Sequence, residues 1–212
     1  MPEQDPTETD RLPSMPNPGR PLRYGDGREA LLAAVVHVVA DRGLRGLTYR
    51  AVAEHAGVNN TLISHHFGSR DALLEAAMEW ASERTRQLSD LSAIDEIDAE
   101  FARALVDLVT SDPDLQMFQY EMILESRRRP ELRPAVAKLY NSYIQSLEGV
   151  LSRRGYTAPD SLARAVFAAL DGLVIQQLTI ADPESIRAAV TRVGQLLSAQ
   201  PHDRQPQPAT GS

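Results

Sequence analysis

Asn60 and Ser64 stand four residues apart, and so do Thr61 and His65. On a helix such pairs share one face. Here that face is short-chained, polar and uncharged with His neutral, while Leu62, Ile63 and Phe67 fall on the other side. Small amides and hydroxyls of this kind can enter the major groove of DNA and pair with base edges. Asn60 is the first candidate for base readout, because an amide can pair bidentately with adenine. Thr61, Ser64 and His65 follow it. No other chemistry is as well defined in the chain. There is no cysteine, which excludes disulfides, thiolate metal sites and a cysteine nucleophile. There is no G-x-S-x-G elbow, no Gly-rich phosphate loop and no Glu-x-x-His pair of the kind di-metal bundles use. His65 and His66 are adjacent, so they do not face each other, and no ligand partner stands four residues away. No catalytic residue, metal or cofactor is expected.

A reading face needs a scaffold, and the surrounding residues supply one. Two helices that cross in a helix-turn-helix need a small residue at the crossing and a residue tolerant of positive φ in the turn. Ala53 and Gly57 fill these roles, with Val52, Val58 and Ile63 as the small core between the helices. Thr48 can cap the helix that runs to His55, Asn59 the one that runs to about Phe67, and Ser69 a longer one that passes Trp80. Asp71 falls in the first turn of that last helix, where the dipole favours an acid. Ahead of them a helix over 27–42 presents Leu31, Val35, Val38 and Val39 on one side and is ended by Gly43. Beyond residue 95 the pattern predicts helices over 95–111, 113–127, 130–154, 159–181 and 183–199. Pro113, Pro130, Pro159 and Pro183 fall in first turns, where proline loses no helical hydrogen bond. No useful strand pattern and no internal repeat appears. The expected fold is all-α, with a tail over 1–24, a helix-turn-helix domain over 25–72, a larger helical bundle over 73–200 and a tail over 201–212. Both tails are Pro-rich and polar, with little apolar surface to offset ordering.

The formal net charge is −7, which at first argues against a nucleic-acid partner. By segment the picture differs. Residues 20–70 hold seven Arg and no Lys against Asp26, Glu29, Asp41 and Glu54, so 7 − 4 = +3, and the remainder carries −10. A mildly basic N-terminal module on an acidic body permits DNA binding. The start is acidic and Pro-rich, unlike a signal peptide, and no apolar run of about 20 residues is evident. The expected setting is the cytoplasm, with no membrane contact.

The run LTYRAVAEHAGVNNTLISHHFGSRDALLEA resembles the DNA-binding domain of the TetR family of transcriptional regulators. The likeness begins near Arg28 and fades after about Arg86. It rests on Gly-x-x-x-Leu-Thr, Ala-Gly-Val and His-Phe-Gly-Ser-Arg at fixed separations after a first helix. The resemblance implies an all-helical homodimer whose N-terminal domains grip a palindromic operator and whose C-terminal domain binds a small molecule. By it, Thr48 and Arg70 are phosphate contacts, Arg70 replacing a common Lys, and Ser64 replaces an aromatic phosphate contact. The DNA-facing set is then Thr48, Tyr49, Arg50, Asn59, Asn60, Thr61, Ser64, His65, His66 and Arg70.

The body of the chain offers two further expectations. Residues 117–126, MFQYEMILES, are rich in Met and aromatics that either fill a core or line a ligand cavity. The cavity candidates are Met117, Phe118, Tyr120 and Glu121, joined by Trp80, Tyr140, Tyr143 and Gln176. His37, among valines, reads as a hydrogen-bonded core or boundary histidine. Arg127, Arg128 and Arg129 read as cations at a helix C-terminus, with a second DNA contact as the alternative. Residues 161–180 are apolar nearly all round, so a second subunit is a natural cover for one side. The dimer stripe is Ala165, Ala169, Gly172 and Gln176, matched on the next helix by Ile186, Val190, Val193 and Leu197. The function read from the whole is a repressor released from a palindromic operator by a small-molecule effector. The alternative is a helical protein-interaction module that never binds DNA.

Overall fold

The computed structural model describes residues 24–88 and 96–199. The expected tails fall outside these residues, except that Tyr24 already belongs to the first helix. The described residues form nine α-helices and no strand: α1 (Tyr24–Gly46), α2 (Tyr49–Ala56), α3 (Asn60–Phe67), α4 (Arg70–Leu88), α5 (Ala99–Ser111), α6 (Pro113–Glu125), α7 (Arg133–Arg153), α8 (Pro159–Thr179) and α9 (Pro183–Ser198). Gly43 does break α1, at φ 65°, but one more turn follows before Gly46. The helix expected over 130–154 starts instead with a 3₁₀ turn, Pro130–Leu132. A second proline, Pro134, then sits in the first turn of α7.

The caps explain most boundaries. The Thr48 hydroxyl accepts from the Ala51 N–H at 3.1 Å, and Asn59 Oδ1 accepts from the Thr61 N–H at 3.0 Å. Ser69 does the same for Ala72 at 3.1 Å. Asp98, Asp112 and Asp182 cap α5, α6 and α9. Each such bond satisfies one of the otherwise orphaned N–H groups of a first turn.

Two cores result. The first joins α1–α4 to α6 and the start of α7: Leu31, Val35, Val39, Val52, Ile63 and Leu74 pack with Leu115, Phe118, Met122 and Leu139. The second joins α5, α7, α8 and α9 around Phe101, Val106, Ile144, Val166, Leu170, Ile186 and Val190. The boundary drawn at 72/73 therefore does not separate the cores, because α6 shares its core with α1. Gly194 is needed where α9 meets the chain leading into α5: a Cβ there would lie 1.7 Å from the Ile97 carbonyl oxygen.

Two expectations for the surface need correction. The α9 stripe does not face outward. Ile186, Val190 and Leu197 are buried against the chain's own α5 and α8, and Val193 packs beside them. Their spacing marked a core face, which is what an amphipathic helix presents first. In contrast, Ala165, Ala169 and Gln176 on α8 are exposed and Gly172 is half-buried. Ile175, Ile180 and Leu196 are large apolar side chains left in water, Ile180 at 84 % exposure. The second correction concerns the length of the apolar run. By length and composition α8 is long and apolar enough to cross one, and only 22 % of its apolar window is buried within the chain. Asp160, Arg164 and Asp171 interrupt the run as it reads in sequence.

Candidate DNA-reading face and effector cavity

The turn between α2 and α3 is made by Gly57, at φ 66° and ψ 30°. With Gly57 left-handed, the Val58 N–H reaches back to the Ala53 carbonyl at 3.0 Å and closes the end of α2. Ala53 and Val52 are buried beneath α3, and Ile63 is fully buried from the other side. With Ile63 turned inward, helical geometry turns Asn60, Thr61, Ser64 and His65 to solvent, and all four are exposed. Asn59 is exposed but serves as the cap, accepting from both the backbone and the hydroxyl of Thr61. His66 is half-buried, edge-on to His65 and tilted against Phe67, whose other neighbour is the Arg28 guanidinium, 5.4 Å from the ring centre.

The flanking residues sit at the ends of this unit. Thr48 is exposed at the start of α2 and Tyr49 is half-buried behind it. Arg50 is exposed and paired with Glu54 at 2.8 Å. That pair raises the Arg50 pKa, through the hydrogen bond and the carboxylate charge. Arg70 is exposed but not free: its Nη2 donates to the Leu44 carbonyl at 2.5 Å, fixing the start of α4 to the end of α1. The basic triplet is largely spent on ion pairs. Arg128 pairs with Glu125 at 3.0 Å, and Arg129 with Asp71 at 2.8 Å and Glu131 at 3.2 Å. His37 is the hydrogen-bonded boundary histidine its position suggested, 2.6 Å from an Asp114 carboxylate oxygen and stacked 4.1 Å from His55. Burial, then the neighbouring His37 charge, lowers the His55 pKa.

Both halves of the chain match known families. Residues 31–77 match the bacterial regulatory proteins of the tetR family, and residues 97–196 match the tetracyclin repressor-like C-terminal domain. A member of the TetR family from Streptomyces coelicolor A3 is 31 % identical, with a TM-score of 0.62 over 79 % of this chain and 98 % of that one. The chain belongs to the TetR family. Within it, the BetI regulator of Paraburkholderia xenovorans is 27 % identical over 77 % of this chain and 87 % of its own length. A multidrug binding protein, EbrR, solved with imidazole, is 31 % identical, with a TM-score of 0.60 over 84 % of this chain and 98 % of its own. As a TetR-family member the chain is a DNA-binding transcriptional regulator, and the reading as an interaction module without DNA binding gives way.

A cavity of about 100 Å³ opens between α5, α6, α7 and α8. Of the residues expected there, Tyr120, Tyr140 and Tyr143 do line it. The others do not. Phe118 is fully buried in the first core, under α1. Met117 lies off the lining face of α6. The Glu121 carboxylate points toward Gly43. Trp80 packs on the first core under Arg84, and Gln176 is exposed on the outer side of α8. The reason is helical phase: α6 gives Gln116, Gln119, Tyr120 and Ile123 to the cavity, at steps of three, one and three, and keeps Leu115, Phe118 and Met122 for α1. The sequence reading missed Asp171, Gln116, Gln119, Phe101 and Phe167, all at the cavity wall. The repeat 167-170-171-174 on α8, beside an outward stripe of small residues, was the available signal for Asp171.

Inside, Tyr120 donates to Asp171 Oδ1 at 2.9 Å and Tyr140 to Oδ2 at 3.2 Å. Gln119 donates to the Thr85 hydroxyl at 2.8 Å, and Thr85 to the Ala81 carbonyl at 3.0 Å. Burial, then the Asp171 charge and hydrogen bond, pushes the Tyr140 phenol up to about 12. Burial does the same for Tyr143, to about 12, against the opposing pull of Thr85 and Gln119. Tyr120 is raised further, by burial and then by Asp171. A phenol that holds its proton more tightly when folded contributes stability that is whole below the unfolded value near 10 and fades as pH climbs through the folded value. The denaturation midpoint should therefore drop between pH 10 and 12. A Tyr120→Phe/Tyr140→Phe/Tyr143→Phe protein should show a smaller drop, measured by urea unfolding at each pH. An equal drop in both proteins would remove these phenols from the cause.

Proposed function

We propose that the chain is a homodimeric, non-catalytic repressor that acts in the cytoplasm and leaves a palindromic operator when a small molecule fills the cavity. The observation that carries the DNA half is the face of α3: four exposed, short polar side chains over a fully buried Ile63. In this reading Asn60 reads a base, with Thr61, Ser64 and His65 beside it, and Asn59 sets the helix that presents them. Thr48, Tyr49, Arg50 and Arg70 hold the backbone, and His66 supports the reading helix from below. Arg70 spends one of its five N–H donors on Leu44, which leaves others for a phosphate. The small-molecule half is supported by the cavity and by EbrR, which has been solved with ethidium. The dimer is supported by the outward stripe of α8, where Ala165, Ala169 and Gly172 stand beside exposed Ile175 and Gln176, and by the exposed Leu196 of α9. Two recognition helices linked in this way would meet successive turns of the major groove about 34 Å apart. A ligand that prefers one spacing of the helices over another shifts the population toward it.

A gel shift against DNA flanking the chain's own gene tests the reading. Asn60→Ala should lose operator preference, by about 1–3 kcal/mol for a bidentate base contact. Arg70→Ala should weaken operator and random DNA alike and flatten the salt dependence, because a phosphate contact releases a counterion. An Asn60→Ala protein that keeps the full operator preference would show that another residue reads the bases.

The assembly has its own test. A Cβ at Gly172 meets nothing within 4 Å outside its own helix turn, so a side chain can start there without displacing the rest of the protomer. Gly172→Arg should give a folded monomer in light scattering whose operator affinity collapses, since one half-site cannot replace two linked ones. A mutant that stays dimeric would put the interface elsewhere.

A further inference from the structure

We infer that the cavity is a site for a small organic cation carrying an oxygen acceptor, with Asp171 as its counter-ion and Gln116 as its polar anchor. This deepens the small-molecule half of the proposed function and rests on it. Three features of the cavity carry the inference.

The first is charge. The lining residues include Glu96 and Asp171 and no Arg, Lys or His. Glu96 is paired with Arg154. Asp171 has no cation within ion-pair distance among the described residues, only the two tyrosine hydroxyls. A carboxylate at the wall of a largely apolar cavity forgoes part of its hydration. A neutral hydrogen bond offsets this in part, and a cation offsets it far better.

The second is the rings. Phe167 lies edge-on to Tyr140 at 5.0 Å and stacks with Tyr143 at 5.8 Å. These side chains, with Tyr120, line the same cavity as Asp171. The phenols hold their protons well above neutral pH, so they present neutral, electron-rich faces and no charge of their own. Such faces attract cations, and most strongly those too weakly hydrated to prefer water. An alkylated ammonium fits this description, and a cavity of about 100 Å³ limits it to a few carbons.

The third is an unmade hydrogen bond. Gln116 is only 7 % exposed, lines the cavity, and its Nε2 has no partner. Its N–H groups cannot be satisfied by the ammonium or by the rings. They ask for an oxygen on the ligand, which they reach when the amide turns about its last side-chain bond. A bare tetraalkylammonium leaves them unpaired, whereas a hydroxyl-bearing one satisfies them.

Calorimetry on the full chain with three probes separates these features. The probes are choline, tetramethylammonium and 3,3-dimethyl-1-butanol, the uncharged carbon isostere of choline. Choline should bind at least about tenfold more tightly than its isostere. Asp171→Asn, which keeps a hydrogen-bonding oxygen for the tyrosines, should erase that gap. Gln116→Leu should weaken choline several-fold and leave tetramethylammonium unchanged. If either variant melts early, the comparison of choline with its isostere on the native protein still decides. Equal binding of the two, or no binding of either quaternary ammonium to the folded native chain, overturns the inference. A gel shift run beside it keeps the two readings apart. Choline that binds without releasing operator DNA sinks the regulatory reading and leaves the cation site. Release by uncharged compounds alone does the reverse.

Discussion

The packing of α6 against α1 joins the DNA-binding unit to the cavity. One face of α6 buries Leu115, Phe118 and Met122 in the core of the helix-turn-helix unit, and the other gives Gln116, Gln119 and Tyr120 to the cavity. A 13-residue helix is a stiff object of about 20 Å. Its two faces cannot move independently. The DNA-binding unit therefore shares its core with α6, and α6 is also one wall of the cavity.

Polar contacts fix the same junction at both ends of α6. Near its start, Asp114 holds His37 of α1, which stacks on His55 of α2. Just past its end, Arg129 holds Asp71 in the first turn of α4. The pairs are partly exposed, and such pairs contribute little stability each. Their importance is geometric, because they tie α6 to the helices on either side of the reading helix. In the proposed mechanism a ligand against Tyr120 and Asp171 presses on a helix already fastened to α1, α2 and α4. The effect on DNA then needs no separate relay, only two packings of α6 that the ligand distinguishes.

The sequence disclosed the local features well. Thr48, Asn59, Ser69 and the first-turn prolines marked helix starts because caps act within four residues. Gly57 marked the turn because left-handed backbone is a property of one residue. What stayed hidden was the direction each helix faces once neighbours compete for it. Phe118 and Tyr120 are two apart and equally attractive as cavity residues, yet one packs under α1 and the other lines the cavity. Val190 and Leu197 read as a partner surface because nothing in the sequence says that α5 covers them. Asp171 was passed over because a single acid in an apolar helix reads as a solvent-facing interruption until two tyrosines, 31 and 51 residues away, are seen to hold it. These are long-range facts, and helical period alone does not contain them.

Hydrogen exchange on Phe118→Ala tests the shared core most directly. The ring is fully buried beneath α1, so its loss should cost about 3–5 kcal/mol where it packs. If α6 completes the core of the DNA-binding unit, the amides of α1 and α6 lose protection together while the second core, α5 with α9, keeps more of its own. If α6 loosens alone and α1 keeps its native protection, the DNA-binding unit is self-contained, and the cavity has no route to it through this helix.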